Sequence, residues 1–118
     1  MPIFIHLYSK GEVLKLLRFI SENPNAVFII GHLTGTDLFS KSSVNLKNVY
    51  FDTSSSNRIQ SNDIKQAIEA FGYEHIVFGT DTPYTNFDEQ INKIEQLNLS
   101  DNIKEHIYNL NAKRILSI

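Results

Sequence analysis

No cysteine occurs anywhere in the 118 residues. Its absence excludes a disulfide framework, a thiolate metal site and a thiol nucleophile, so any metal here has to be held by histidine and carboxylate side chains. No apolar stretch approaches the roughly 20 residues a membrane helix needs, and no membrane span is expected. Excess charge of one sign is missing too. With a formal net charge of −2 and a pI near 6.0, the chain offers no basic footprint for nucleic acid. Met1-Pro2 runs straight into apolar residues with no basic segment and no long apolar one, so no signal peptide is expected and the cytoplasm is the expected compartment. No low-complexity linker marks a second domain. The hydrophobic share of 42% and charged share of 20% are those of an ordinary globular chain able to bury a core.

What is present is a repeated pattern. Four short apolar runs stop on, or just short of, a polar side chain with chemical potential: Ile3-Phe4-Ile5 before His6, Val27 to Gly31 before His32, Val49-Tyr50-Phe51 before Asp52, and Ile76 to Thr80 before Asp81. Near-continuous apolar runs suit strands buried on both faces of a parallel sheet, and the carboxyl ends of such strands are where α/β proteins place reactive groups. From His6 to His32 is 26 residues, from His32 to Asp52 is 20 and from Asp52 to Asp81 is 29. These intervals fit strand-loop-helix-loop units, because a parallel crossover needs a dozen residues or more. Two histidines and two aspartates are therefore expected at one rim.

Between the runs, Val13, Leu16, Leu17 and Ile20 recur at helical spacing over Gly11 to Glu22, and Asn23-Pro24-Asn25 ends that helix. Gly31, Thr34 and Gly35 read as a loop, with one or two helical turns over Asp37 to Lys41 before Ser42-Ser43. After Asp52 comes a polar loop, Thr53 to Asn57. Then Ser61 or Asn62 is the expected cap of a helix with Ile64, Ala67, Ile68 and Phe71 on one face, and Gly72 is its expected stop. A helix from about Phe87 to Leu97 places Phe87, Ile91 and Ile94 inward, and Ser100 caps a last helix bearing Ile103, Ile107 and Leu110.

Each polar candidate has a plainer reading. His6 and His32 can be rim histidines bonded to carbonyls, and Asp81 can start the turn that Thr82-Pro83 continues. Asp52 is read chiefly as an acceptor for the amides of Thr53 to Ser55. Ser54, in the Ser54-Ser55-Ser56 run, and Tyr84 are the candidate substrate contacts, against a solvated loop and simple packing. His75 and His106 are read as structural or solvent-facing.

Taken together, Ile30 to Gly35, Val49 to Ser54, Ile76 to Pro83 and Asn111 to Leu116 resemble the carboxyl-terminal half, strands five to eight, of the amidohydrolase-related TIM-barrel metal-dependent hydrolases. The resemblance implies an α/β half-barrel, residues 1–118, of four parallel strands with their helices. It also implies that His6 ligates a metal or lies beside one, that His32 contacts the metal or the reacting water, and that Asp81 ligates the metal and shuttles a proton. Catalysis then falls to Asp81 and His32, and the metal to His6, His32 and Asp81, with zinc as the expected divalent cofactor and a small molecule as the substrate. The chemistry is coherent in its own right, because imidazole and carboxylate ligands let a divalent ion bring bound water toward a pKa of about 7.

The chain lacks part of what the family uses. A whole barrel has roughly 250 residues, and neither a first-strand His-x-His nor a strand-four Lys or Glu is found in these 118. Weak zinc binding is therefore expected of the chain alone. The runs at residues 2 to 6 and 76 to 80 would both be sheet edges without a charged residue to discourage pairing, which predicts a homodimer, association with an amino-terminal half-barrel, or aggregation. Three classes stay open: hydrolysis or decarboxylation of a small carboxylate, lactone or amide; a non-catalytic half-barrel assembly module; and an open α/β domain that binds a small anion.

Overall fold

Parallel pairing joins all four apolar runs into one sheet of order β1-β2-β3-β4, formed by β1 (Ile3–Ile5), β2 (Phe28–Ile30), β3 (Val49–Asp52) and β4 (Ile76–Val77). These features come from a computed structural model that describes residues 1–55 and 58–118. Ser56 and Asn57, the end of the expected polar loop, lie outside the described residues. The register sets Phe28 opposite Val49, Ile30 opposite Phe51, and Phe51 opposite Ile76, so these side chains share one face, and all are fully buried. Helices cover that face: α1 (Gly11–Glu22) with Val13, Leu16, Leu17 and Ile20, α2 (Thr36–Lys41) with Phe39, and α3 (Ser61–Phe71) with Ile64 and Ala67. Phe51 is central, its ring 5.3 Å from Phe39 and 4.4 Å from Phe71, and pairs of this kind contribute roughly 0.5–1.5 kcal/mol beyond their buried area.

The expectation of burial on both faces holds for one face only. Phe4 is 56% exposed, and Ile29 and Tyr50 on the same face are half-buried. β4 is also shorter than the expected run to Thr80, because the backbone turns out of the sheet after Val77.

Helix ends correct the sequence reading in one place and support it in others. Gln60, rather than Ser61 or Asn62, caps α3: the Asp63 carboxylate accepts from the Gln60 amide at 2.8 Å. Ser61 instead donates its hydroxyl to the Lys93 carbonyl at 2.8 Å, tying α3 to α4 (Phe87–Glu95). Gly72 stops α3 at φ 87°, a conformation open to glycine, and Ser100 Oγ accepts from Ile103 N at 3.3 Å. Phe87 and Leu110, expected inward, are 53% and 39% exposed, while Ile94 and Ile107 are fully buried.

The last helix is α5 (Asp101–Glu105) and α6 (Asn111–Leu116) joined through one π turn, His106–Leu110. The π turn packs beside the β4 end of the sheet. Within it the Asn111 amide bonds to His106 O, and the Ile107 carbonyl accepts from Phe78 N at 3.0 Å just beyond β4. Asn111, fully buried, donates Nδ2 to the carbonyls of Tyr73 and Ile76, both at 2.8 Å. β1 and β4 are the two outer strands of the sheet, as expected, and at β4 the Ile76 carbonyl and Phe78 N are bonded to the last helix. Tyr108 in the same turn donates to Glu95, and burial together with that carboxylate pushes its hydroxyl well above the ordinary range. Among the described residues no helix is long and apolar enough to cross a membrane.

Asn111→Ala removes both donors from the β4 edge and leaves buried carbonyls unmet, at about 1–3 kcal/mol per lost partner. Urea denaturation is expected to show a loss in that range, against a change of a few tenths for Asn109→Ala on the exposed side of the same turn.

Candidate active site

The rim at the carboxyl ends of the strands is built from turns that leave the sheet abruptly. After β2 the chain enters a tight turn, Gly31–Leu33, with His32 at φ 61° and Leu33 at φ 51°. After β4, Asp81 sits at φ 58°. Left-handed backbone is unfavourable for non-glycine residues by about 1–2 kcal/mol each, and such strain gathers where a site needs a side chain aimed. Two of the three expected ligands carry it.

His6, His32 and Asp81 line one cavity of about 380 Å³, together with Leu7, Tyr8, Lys10 and Arg58. The His6 ring meets the His32 ring edge-on at 4.7 Å and stacks on Tyr8 at 4.6 Å. Asp81 shares the cavity, but among the described residues no group of three His, Asp or Glu side chains is gathered closely enough to hold an ion. The expected ready-made three-ligand cluster is therefore corrected to a histidine pair with a carboxylate on the same wall. The cause is the short β4, which leaves Asp81 four residues past the strand instead of at its end. The plain reading of Asp81 as a turn starter is met by its backbone alone, since its carbonyl accepts from Tyr84 N at 2.9 Å. Its carboxylate makes no hydrogen bond or ion pair among the described residues.

His32 is held differently from His6. Its Nδ1 lies 2.7 Å from the Ser54 carbonyl, which can only accept, so Nδ1 carries a proton and, in the neutral ring, Nε2 the lone pair. A histidine whose other nitrogen is committed to a carbonyl is arranged as metal-binding histidines usually are. Imidazole and carboxylate donors are those that suit zinc or manganese. The donor types lining the cavity thus fit a divalent ion in kind.

Asp52 does what its plainer reading expects: Oδ1 accepts from Ser54 N at 2.8 Å. It also accepts from His32 N at 3.3 Å and from the Ser54 hydroxyl. The other carboxylate oxygen abuts Gly79, where a Cβ would lie 2.1 Å from it. Ser54, expected at the substrate, is 4% exposed and turned to Asp52 and His32, so it is not a cavity-lining residue. Tyr84 is 84% exposed and lines a separate hollow with Ser55, Pro83 and Gln90. At the mouth, Lys10 pairs with Asp37 at 2.9 Å, and its ammonium holds the Asp37 carboxyl below the usual range. Arg58 has no acidic partner among the described residues. Sequence reasoning overlooked Arg58 and Tyr8, for which proximity in the fold is the only signal. His75 and His106 give their Nδ1 to the carbonyls of Val49 and Asn102, which fits their structural reading.

The family model described as Amidohydrolase matches residues 1–118. Among curated proteins none matches the chain. Among solved structures, an amidohydrolase 2 from Bifidobacterium longum subsp. infantis superposes with a TM-score of 0.82 at 17% identity, covering 100% of this chain and 50% of that one. A zinc-bound amidohydrolase from Burkholderia multivorans gives 0.76 at 14% identity, covering 98% and 52%. A dihydroxybenzoic acid decarboxylase from Polaromonas sp. JS666, with bound manganese and 2-nitroresorcinol, gives 0.74 at 20% identity, covering 92% and 39%. The likeness is one of fold, and the chain spans about half or less of these proteins.

Gly79→Ala drives a methyl group into the Asp52 carboxylate, and overpacking of this kind costs about 1–3 kcal/mol. Thermal denaturation is expected to report a clear loss, while Gly11→Ala, whose added Cβ would meet nothing closer than Ser9 Oγ at 3.8 Å, stays close to wild type.

Proposed function

Because the chain belongs to the amidohydrolase family, we propose that it is the carboxyl-terminal half of a metal-dependent barrel enzyme, with His6, His32 and Asp81 around a divalent ion at the rim. The observation that carries this reading is a single cavity lined by all three, with Nε2 of the neutral His32 ring left as a lone pair and the Asp81 carboxylate unengaged among the described residues. Zinc is the proposed ion. When bound, a divalent ion makes water a nucleophile near neutral pH and polarises the substrate oxygen.

The chain's own groups supply the rest. Asp81 accepts a proton from the attacking water and returns it to the leaving group. His32, fixed in one ring orientation, and His6, packed against it, form the imidazole wall of the cavity. The Arg58 guanidinium is suited to a substrate carboxylate, which it can grip with two parallel hydrogen bonds. The reaction proposed is hydrolysis of a small carboxylate-bearing lactone or amide, with decarboxylation as the variant that the manganese-bound neighbour illustrates.

The open edge favours a completing partner. β1 has no strand on its outer side, and Ile3 and Phe4 are 42% and 56% exposed there. An amino-terminal half-barrel pairing with β1 would cover both and bring further donors to the rim. β4, the other outer strand, would meet the opposite end of the same half-barrel.

Calorimetric titration with zinc is expected to show weak binding that falls more than about tenfold, or 1.4 kcal/mol, in both His32→Ala and Asp81→Asn. Unchanged affinity in both variants would remove the ligand assignment. Sedimentation at micromolar concentration is expected to show self-association through the uncovered edge, reduced in Phe4→Lys. A concentration-independent monomer would remove the edge as a docking site.

A further inference from the structure

We propose that Asp52, acting through Ser54, is the positioning residue that sets both the backbone and the ring tautomer of His32. Asp52 closes β3 at 9% exposure, so its carboxylate is spent inside the protein. Oδ1 gathers three donors: Ser54 N, the Ser54 hydroxyl and His32 N. The first two fix Ser54, and a fixed Ser54 presents its carbonyl to His32 Nδ1 at 2.7 Å. Its hydroxyl oxygen lies 3.3 Å from the same nitrogen. That hydroxyl has one proton and gives it to Asp52, so it faces Nδ1 with lone pairs. Both neighbours of Nδ1 are therefore acceptors, and the ring is held with Nδ1 protonated.

The third bond acts on the backbone. His32 at φ 61° is in a conformation unfavourable for a histidine, and the Asp52–His32 N hydrogen bond offsets that strain from a residue 20 positions away. Gly79 makes room for the arrangement, since a Cβ at that position would lie 2.1 Å from Oδ2. One carboxylate thus determines where the imidazole stands and which nitrogen is open. His6 has no hydrogen-bonding partner of this kind among the described residues, and His75 and His106 rest on carbonyls that Asp52 does not touch. These three are internal references.

The inference deepens the metal reading of His32, but its main readout needs no metal. In the ¹⁵N-labelled, metal-free chain, at a pH about 2 units above the ordinary histidine value, long-range ¹H–¹⁵N spectra are expected to show His32 as the Nδ1–H tautomer. Asp52→Ala is expected to release it to a mixture of tautomers while His75 and His106 stay unchanged. Asp52→Asn retains an acceptor oxygen and is expected to keep most of the wild-type pattern. Ser54→Ala, which loses the hydroxyl but keeps the carbonyl, is expected to fall between. Wild-type tautomerism in Asp52→Ala, or all four histidines shifting together in every variant, would overturn the proposal. Zinc affinity separates this from the functional reading: a 10- to 100-fold loss in Asp52→Ala is expected for a partner of a metal ligand. A tautomer change without any loss of zinc affinity would leave the positioning role standing and count against His32 as a ligand.

Discussion

The Asp52 carboxylate is the constraint on which the rim depends. It sits at the end of the central strand pair, and its Oδ1 ties the turn after β2 to the loop after β3 through His32 N and Ser54. Its Oδ2 requires that residue 79, where the chain leaves β4, have no side chain. Three consecutive strand ends are thereby referred to one buried charge. A buried carboxylate is tolerable only when hydrogen bonds compensate the loss of water. The donors that satisfy it are the groups that shape the site.

Beneath this lies a rigid base. Phe28, Phe39, Phe51 and Ile76 are fully buried, and the aromatic cluster around Phe51 fixes the spacing of β3 from α2 and α3. Strain is distributed unevenly over that base. Asn98 and Ser117 have left-handed backbone just after helices, where chains commonly take it, but His32, Leu33 and Asp81 have it at the strand ends, where the cavity is. A well-packed sheet can hold such residues in place because relaxing them would disturb the core.

Much of this was legible in the sequence because burial leaves a direct mark on strands. Four apolar runs ending on His6, His32, Asp52 and Asp81 located the strands, their parallel order and the shared rim. The family segments added the family and the half-barrel. What was not legible depends on contacts distant in sequence. Ser54 is a serine in a serine-rich loop, and nothing local says that it turns inward to Asp52 and His32. The π turn at His106–Leu110 places the Ile107 carbonyl on Phe78 N, a contact 29 residues apart that helical periodicity does not register. Phe87 and Leu110 kept the helical period yet sit at helix positions with little above them to pack against, so they are exposed. Asp81 was placed correctly at the rim but too near the histidines, because the apolar run to Thr80 outlasts the strand itself.

The central claim is the proposal that the rim cavity is where a divalent ion would be held. Anomalous X-ray scattering from crystals of the zinc-soaked chain tests it most directly. The account predicts a zinc peak in the cavity lined by His6, His32 and Asp81, in contact with His32 Nε2. A principal peak at His75 or His106, with the rim cavity empty, would contradict it.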